Sequence, residues 1–193
     1  IFEKDNNLQV KFIRCDNSGE NLSLMSSIQE DQYLSIKFEL VAPYTPEQNG
    51  KVERKFATLY GKVRAMLNWA QVTPYLRSKL WAQCANTACQ LDNILCKKDR
   101  DMTAAQLFYG NNPNWVKNLR TFGEIGVVHD DKHAKIRGKL KDRGIPCMFI
   151  GYSENHTSNV FQFLNLSTNH IIQSRNVTWL NKSYCEFKNE KQP

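Results

Sequence analysis

The sequence lacks several features that would assign it at once to a familiar class of protein. No two of its six cysteines have the two-residue gap typical of zinc knuckles and thiol redox motifs. No stretch approaches the roughly 20 apolar residues of a membrane span, and the N-terminus has neither the basic segment nor the apolar run of a secretory signal. Repeats and low-complexity tracts are also absent. These absences predict a protein without a membrane segment in a reducing compartment, the nucleus or the cytoplasm.

Acidic residues are in the minority. The chain has 19 Asp and Glu against 26 Lys and Arg, which gives a net charge of +7. A basic balance favours polyanionic partners, of which nucleic acid is the commonest, although an ordinary basic protein remains the alternative. The 193 residues are 41% hydrophobic and 23% charged, which is typical of one large or two small globular domains. The chain also begins without Met in what reads as a helix end, as a fragment starting within a domain would.

Helical patterns dominate the first half of the chain. Short strands are predicted at 10–15 and 35–40, with a helix at 21–31 capped by Ser23 between them. A long helix from about 47 to 71 carries one apolar stripe with alternating steps of four and three, and Pro74 opens another helix to about residue 96. The stripe consists of Val52, Phe56, Leu59, Val63, Met66 and Ala70. The inward residues expected on the next helix are Trp81, Cys84, Ala88 and Leu91.

The second half has a different character. A short helix at 103–108, capped by Thr103, precedes a Gly-Asn-Pro segment that signals a linker. Short β-like runs then recur about every ten residues, which favours a small barrel or sandwich. We therefore predict an α/β part at 1–110, a linker at 111–118, a small all-β barrel at 119–185 and a tail at 186–193. The runs lie at 126–129, 147–152, 160–164 and 171–177, and their aromatics Phe149, Tyr152, Phe161 and Phe163 are expected in the barrel core rather than on a base-stacking platform.

Two carboxylates have the placement that divalent metal ions require. Asp16 ends the first strand, and Glu53 lies in the first turns of the long helix at the edge of its apolar stripe. A carboxylate at a strand end facing one on a helix can hold metal ions, since these prefer several oxygen ligands. Two such ions can activate a water or a 3′ hydroxyl. The alternative is that Asp16 makes only an Asx turn and Glu53 only a surface ion pair.

The residues around both carboxylates resemble the motifs of copia-type retrotransposon integrases. Residues 13–20, Ile-Arg-Cys-Asp-Asn-Ser-Gly-Glu, resemble the strand-end motif around the second catalytic Asp of that family. Residues 42–54, Ala-Pro-Tyr-Thr-Pro-Glu-Gln-Asn-Gly-Lys-Val-Glu-Arg, resemble the longer motif around its catalytic Glu. Further similar motifs follow in the family's order at 81–88, 120–123, 149–152 and 175–177, so that the resemblance covers nearly the whole chain.

The resemblance implies a fold, an activity and a cofactor. It implies a truncated ribonuclease-H-like integrase core, mostly helices with two remaining strands, followed by a small Src-homology-3-like barrel. The family joins element ends to target DNA with an Asp-Asp-Glu triad and Mg²⁺ or Mn²⁺. Asp16 matches the second Asp and Glu53 matches the Glu. Element ends and target DNA would be the partners, a homo-oligomer is compatible with the sequence, and no small-molecule substrate is expected.

Three departures from the family limit the expected activity. The first Asp lies on an earlier strand that this sequence does not include, and Asp5 is too close to Asp16 to replace it. Ser18 stands where the family usually has Gly, and the N-terminal His/Cys zinc module is missing. With two carboxylates instead of three, metal should bind weakly, because affinity follows ligand charge and number. We therefore expect this chain to be inactive in strand transfer by itself.

Basic residues supply the expected DNA contacts. By resemblance, Asn49 lies in the loop before the long helix, and Lys51, Arg54 and Lys55 lie near the DNA backbone. Lys51, Lys55 and Lys62 are projected to one side of the helix, roughly opposite its apolar stripe. A simple solvated face is the alternative. The second group of cations, at 132–143, is expected on an exposed loop that binds phosphates without sequence preference, or that only aids solubility. We select Lys135, Arg137 and Lys139 from it as DNA-binding residues.

Two rival interpretations remain open. The chain could be a non-catalytic nucleic-acid-binding or scaffold module derived from a retrotransposon, or a nuclease whose recorded sequence is incomplete. His129 and His133 lie four residues apart, but no further ligands have convincing spacing for a metal site. An upstream strand bearing an Asp, some fifty to seventy residues before Asp16, would favour the enzyme.

Overall fold

The computed structural model describes residues 10–30, 35–41, 46–129, 143–153 and 159–190, and for residues 46–49 it describes the backbone only. The chain divides into two compact units, Ile1–Thr58 and Leu59–Pro193. Among the described residues, no helix combines the length and apolar character needed to cross a membrane.

The first unit is built around a pair of parallel strands. Strand β1 (Phe12–Cys15) pairs with β2 (Lys37–Leu40), and helix α1 (Gly19–Glu30) lies between them in the chain. Parallel neighbours need a crossover connection of this kind, since a tight turn can join only antiparallel strands. Both strands were predicted. The helix begins earlier than predicted, so that Ser23 lies inside it and does not cap it.

This unit has little core. Val41 is the only buried residue among those whose side chains are described in it, and α1 buries none of its side chains. Phe12 is 59% exposed and Leu40 is 43% exposed. Parallel strands normally have both faces covered, so the apolar side chains of this pair lack the cover that such strands usually have.

The long helix α2 (Pro46–Trp69) matches the predicted one closely. Only the second half of its apolar stripe is buried. Val63 and Ala70 belong to the core, whereas Val52 and Phe56 are about half exposed. The apolar stripe therefore runs along the whole helix, but only its second half is buried.

The following helix α3 (Pro74–Asn93) begins where the sequence predicted. Thr73 caps it by accepting a hydrogen bond from the backbone N–H of Leu76, and Pro74 occupies the first turn, where a missing N–H costs nothing. Its buried stripe includes Leu76, Leu80, Cys84, Thr87 and Ala88. The prediction that Trp81 points inward was wrong. It follows Leu80 by about 100° of helix rotation and is 51% exposed.

The second half of the chain forms one antiparallel sheet of five strands, whose order across the sheet is Ile171–Ser174, Phe161–Asn165, Gly144–Tyr152, Glu124–His129, Val177–Ser183. The predicted α/β class with a small β domain is confirmed. The predicted strand at 171–177 is in fact two strands, because Ser174 Oγ accepts a hydrogen bond from the N–H of Asn176 and turns the chain there. The elements are α4 (Ala104–Tyr109), a 3₁₀ turn (Asn114–Asn118), β3 (Glu124–His129), β4 (Gly144–Tyr152), β5 (Phe161–Asn165), β6 (Ile171–Ser174), β7 (Val177–Ser183) and α5 (Tyr184–Glu190).

Two groups of buried side chains hold this unit together. One is the aromatic group predicted from the sequence: Phe149, Tyr152, Phe161 and Phe163 are all at most 4% exposed. The other joins the helices to the sheet, and contains Val63, Leu67, Leu76, Leu80, Cys84, Phe122, Ile125, Met148 and Ile150 among others. The domain boundaries predicted at residues 110 and 119 remain a prediction. The packing does not follow these boundaries, because the second half of α2 and all of α3 share a core with the sheet. The predicted tail at 186–193 likewise includes the end of α5.

Close backbone contacts fix α3 against the sheet. Thr87 Oγ1 donates a hydrogen bond of 2.9 Å to the carbonyl of Ile150 on β4. Gly151 has φ +154°, and a Cβ there would lie 2.6 Å from Thr87 Oγ1. Helix and strand can approach this closely only because residue 151 has no side chain.

Candidate nucleic-acid interface

Asp16 lies immediately after β1 and is exposed. Its Oδ1 accepts hydrogen bonds from the N–H of Ser18 at 3.2 Å and from Asn21 Nδ2 at 2.7 Å. These bonds, first that of the Ser18 backbone, lower the pKa of the carboxyl below its usual value of 3.8. Asp16 is therefore ionised at neutral pH, and its position at the strand end is fixed.

The Asx turn considered as an alternative is thus present, but it does not compete with a ligand role. The backbone N–H of Ser18 and the Asn21 amide both donate to Oδ1, and the Ser18 side chain also hydrogen-bonds the carboxyl. The carboxylate keeps its negative charge in this turn and can therefore still serve as an oxygen ligand for a cation.

Glu53 lies on the third turn of α2 and is exposed, as are its neighbours Lys51, Arg54 and Lys55. No described hydrogen bond or ion pair joins Glu53 to Asp16. Residues 51–55 of α2 therefore present one carboxylate among three cations to solvent. This segment can approach a phosphate backbone, because its positive charge outweighs the single negative charge.

Lys62 differs from the other predicted cations of α2. Its ammonium forms an ion pair with Asp92 of α3, and its side chain is only 37% exposed. The projection that placed Lys62 opposite the apolar stripe was wrong. Lys62 directly precedes the buried Val63 and therefore lies beside the stripe, toward α3. Any phosphate contact by Lys62 would have to compete with Asp92.

Several predicted positions cannot be placed. The residues Lys135, Arg137 and Lys139 and the side chain of Asn49 lie outside the described residues. The backbone of Asn49 lies within α2, so the prediction of a loop at this position was wrong. The DNA-binding roles of these residues stay predictions. His133 lies outside as well, whereas His129 is exposed at the end of β3.

No group of three His, Cys, Asp or Glu side chains suited to a metal ion occurs in the described ranges. Asp16 and Glu53 are oxygen donors of the kind that Mg²⁺ and Mn²⁺ prefer, so the donor chemistry fits. Two carboxylates are too few for a tight metal site, so a further ligand would be required.

The structure also gives a role to motifs to which the sequence assigned no function. Arg120, from the motif at 120–123, stacks its guanidinium 4.4 Å from the Trp179 ring and forms an ion pair of 3.2 Å with the buried Glu124. Its backbone N–H donates to the hydroxyl of Tyr152, from the motif at 149–152, at 2.8 Å. Thr87, from the motif at 81–88, contacts Ile150. These motifs join parts of one core, and no signal in the sequence indicated these contacts.

Comparison with known proteins agrees with this structure. Residues 126–193 match the family described as the retroviral polymerase SH3-like domain. The chain is 30% identical over 182 residues, 93% of its length, to the Retrovirus-related Pol polyprotein from transposon TNT 1-94 of Nicotiana tabacum. It is 28% identical over 163 residues to the corresponding polyproteins from transposons RE1 and RE2 of Arabidopsis thaliana, in each case over 84% of its length.

These matches confirm the predicted resemblance to copia-type Pol polyproteins and the predicted C-terminal SH3-like domain. The chain spans only 13% of the tobacco polyprotein and 10% of each Arabidopsis polyprotein. It is therefore similar to one short stretch of much longer proteins.

Proposed function

We propose, on the premise that this chain resembles one stretch of a copia-type Pol polyprotein, that it is a DNA-binding segment of an integrase. In the intact protein it would help to join element ends to target DNA by metal-dependent strand transfer. The observation that carries the proposal is the pair of exposed carboxylates, Asp16 at a strand end and Glu53 within a cationic helix segment. Both lie in the two motifs that resemble the integrase site.

Each residue has a definite proposed task. Asp16 and Glu53 would hold Mg²⁺ or Mn²⁺, and the hydrogen bonds from Ser18 and Asn21 keep the Asp16 carboxylate charged and in place. Bound metal would supply activation of the attacking hydroxyl and stabilisation of the leaving oxygen. Lys51, Arg54 and Lys55 would hold the DNA backbone beside Glu53. Weak metal binding is expected, since only two carboxylates of the family's triad have a match in this sequence.

DNA binding is tested with a triple variant, Lys51→Gln, Arg54→Gln and Lys55→Gln. Fluorescence anisotropy with a labelled duplex should show weaker binding at low salt. The slope of log affinity against log salt should become shallower by about 0.9 for each phosphate that the variant no longer neutralises. The matched control is Lys97→Gln, Lys98→Gln and Arg100→Gln, which removes the same charge from an exposed turn. Equal losses of affinity in the two variants would mean that only the overall electrostatic field of the protein attracts DNA. That result would contradict a local DNA-binding site on α2.

Catalysis is tested with oligonucleotide ends and Mg²⁺ or Mn²⁺. The chain as given should bind duplex without joining ends, and calorimetry should find only weak metal binding. An extended chain that includes an upstream strand with an Asp should join ends, and Glu53→Gln should abolish that joining. Strand joining by this chain that is lost in Glu53→Gln, or tight metal binding in the micromolar range, would contradict the expectation that two carboxylates are too few for strand transfer. DNA binding without joining in the extended chain would favour a non-catalytic module.

A further inference from the structure

The corner between α2 and α3 is a rigidly built part of the second unit. Four residues separate Trp69 from Pro74, and two of them, Ala70 and Val72, are at most 4% exposed. Gln71 turns the chain with φ +48°, and Thr73 caps α3. The side chains around this corner are therefore held on a fixed backbone.

Two large aromatic rings project from this corner into solvent. Trp69, the last residue of α2, is 52% exposed, and Tyr75, in the first turn of α3, is 57% exposed. Because both rings are more than half exposed, neither contributes much to the buried core. They offer flat apolar surface at a low entropic cost to a binding partner.

Cations accompany both rings. Lys79 Nζ lies 4.6 Å from the centroid of the Tyr75 ring. The guanidinium of Arg77 donates a hydrogen bond to Asn68 Oδ1, next to Trp69 in the chain. We call the four side chains Trp69, Tyr75, Arg77 and Lys79 the corner surface.

The charged residues from 54 to 91, around the corner, have one sign. Between Glu53 and Asp92 the sequence contains no Asp or Glu. It contains six cations there: Arg54, Lys55, Lys62, Arg64, Arg77 and Lys79. A ligand of the corner surface should therefore be a polyanion, because an acidic partner meets no acidic residue between positions 54 and 91.

We infer that the corner surface binds single-stranded nucleic acid, with unpaired bases stacked on Trp69 and Tyr75 and phosphates near Arg77 and Lys79. Aromatic rings interspersed with cations are how proteins bind single strands without reading sequence. A duplex can satisfy the cations but not the rings, since its bases are already stacked on one another. This surface shares no residue with Lys51–Lys55 and does not depend on strand transfer. DNA and RNA share the required chemistry.

The test compares two pairs of substitutions in the full chain. Trp69→Ala with Tyr75→Ala removes the rings of the corner surface. Trp81→Ala with Tyr109→Ala removes two rings of equal type and similar exposure, 51% and 59%, elsewhere. Trp81 is a suitable control because it lies about 200° around α3 from Lys79. The probes are labelled 20-nucleotide oligothymidylate and oligouridylate, and a DNA duplex of the same length, each followed by anisotropy.

The corner variant should bind the single strands at least roughly tenfold more weakly, the size expected for removing base stacking, and should bind duplex nearly as before. The control should bind all probes like the unaltered chain. Conservative Trp69→Phe with Tyr75→Phe should keep most of the affinity and provides a readout if the alanine variant unfolds. A stronger effect on oligothymidylate would indicate DNA as the natural ligand, and a stronger effect on oligouridylate would indicate RNA.

Three results would overturn the inference: equal weakening for duplex and single strand, equal weakening in the control pair, or unchanged single-strand binding in the corner variant. The Lys51, Arg54 and Lys55 variant distinguishes this inference from the proposed function, because that variant should weaken duplex binding and leave the preference of the corner for single strands intact. Either surface can therefore fail without the other.

Discussion

The described parts of the two units differ in how many side chains they bury. The described part of Ile1–Thr58 has one buried residue, Val41, and presents Phe12 and Leu40 to solvent. Leu59–Pro193 contains the two groups of buried side chains. Both carboxylates of the proposed site belong to the first unit. The proposed chemistry therefore resides on the unit whose described part buries fewer side chains.

The largest contrast is expected between two phenylalanines. Phe149→Ala removes a fully buried ring from the sheet core and should lower the free energy of unfolding by about 3–5 kcal/mol. Phe12→Ala removes a ring that is 59% exposed and should change it by less than about 0.5 kcal/mol. Urea unfolding followed by circular dichroism measures both. A decrease for Phe12→Ala close to that for Phe149→Ala would show that the first unit has a core of its own.

A smaller effect should come from the contact between α3 and the sheet. In Gly151→Ala the new Cβ would lie 2.6 Å from Thr87 Oγ1 at a φ of +154°. Helix and strand must then separate, at a cost of roughly 1–3 kcal/mol. Gly61→Ala is the matched control, since its Cβ meets nothing within 4 Å and lies in a helix, where Ala should stabilise by about 0.5–1 kcal/mol. Thermal unfolding of both variants gives the comparison, and a neutral Gly151→Ala would argue against the close approach.

The smallest effect concerns pH and the first unit. The folded-state pKa of Asp16 is lower than the unfolded one, because Ser18 and Asn21 donate to the carboxylate. Its contribution to stability is therefore present above about pH 4 and disappears as the pH falls through the folded-state pKa. Hydrogen exchange at the start of α1 should be slower in the unaltered chain than in Asp16→Ala at pH 6, and the difference should shrink below pH 4. A difference independent of pH would show that the ionised carboxylate is not what holds the turn.

Much of the fold was predictable because local signals agreed with the tertiary structure. Pro74 placed the start of α3, and the Thr103 cap placed α4. The short β-like runs that recur about every ten residues placed most of the sheet. The errors came where burial depended on a neighbour: Trp81 lies one residue off the buried stripe, and Lys62 faces Asp92 rather than open solvent.

The candidate site was predictable only as a set of residues. The motifs identified Asp16 and Glu53 and the cations beside them. The hydrogen bonds that lower the pKa of Asp16 depend on how α1 follows β1. No sequence pattern places Asn21 Nδ2 against the carboxylate, because the contact requires the turn between strand and helix to have formed.

The sequence by itself determined the type of most elements, the resemblance to copia-type polyproteins, the identity of the two carboxylates and the one-signed charge between Glu53 and Asp92. These properties depend on residue type and spacing, which the chain carries without folding. Only the tertiary structure decided that the motifs around Thr87, Arg120 and Gly151 meet in one core, and that Val52 and Phe56 stay exposed while Val63 is buried. Burial and contact depend on which surfaces meet in three dimensions, and residues far apart in sequence supply those surfaces.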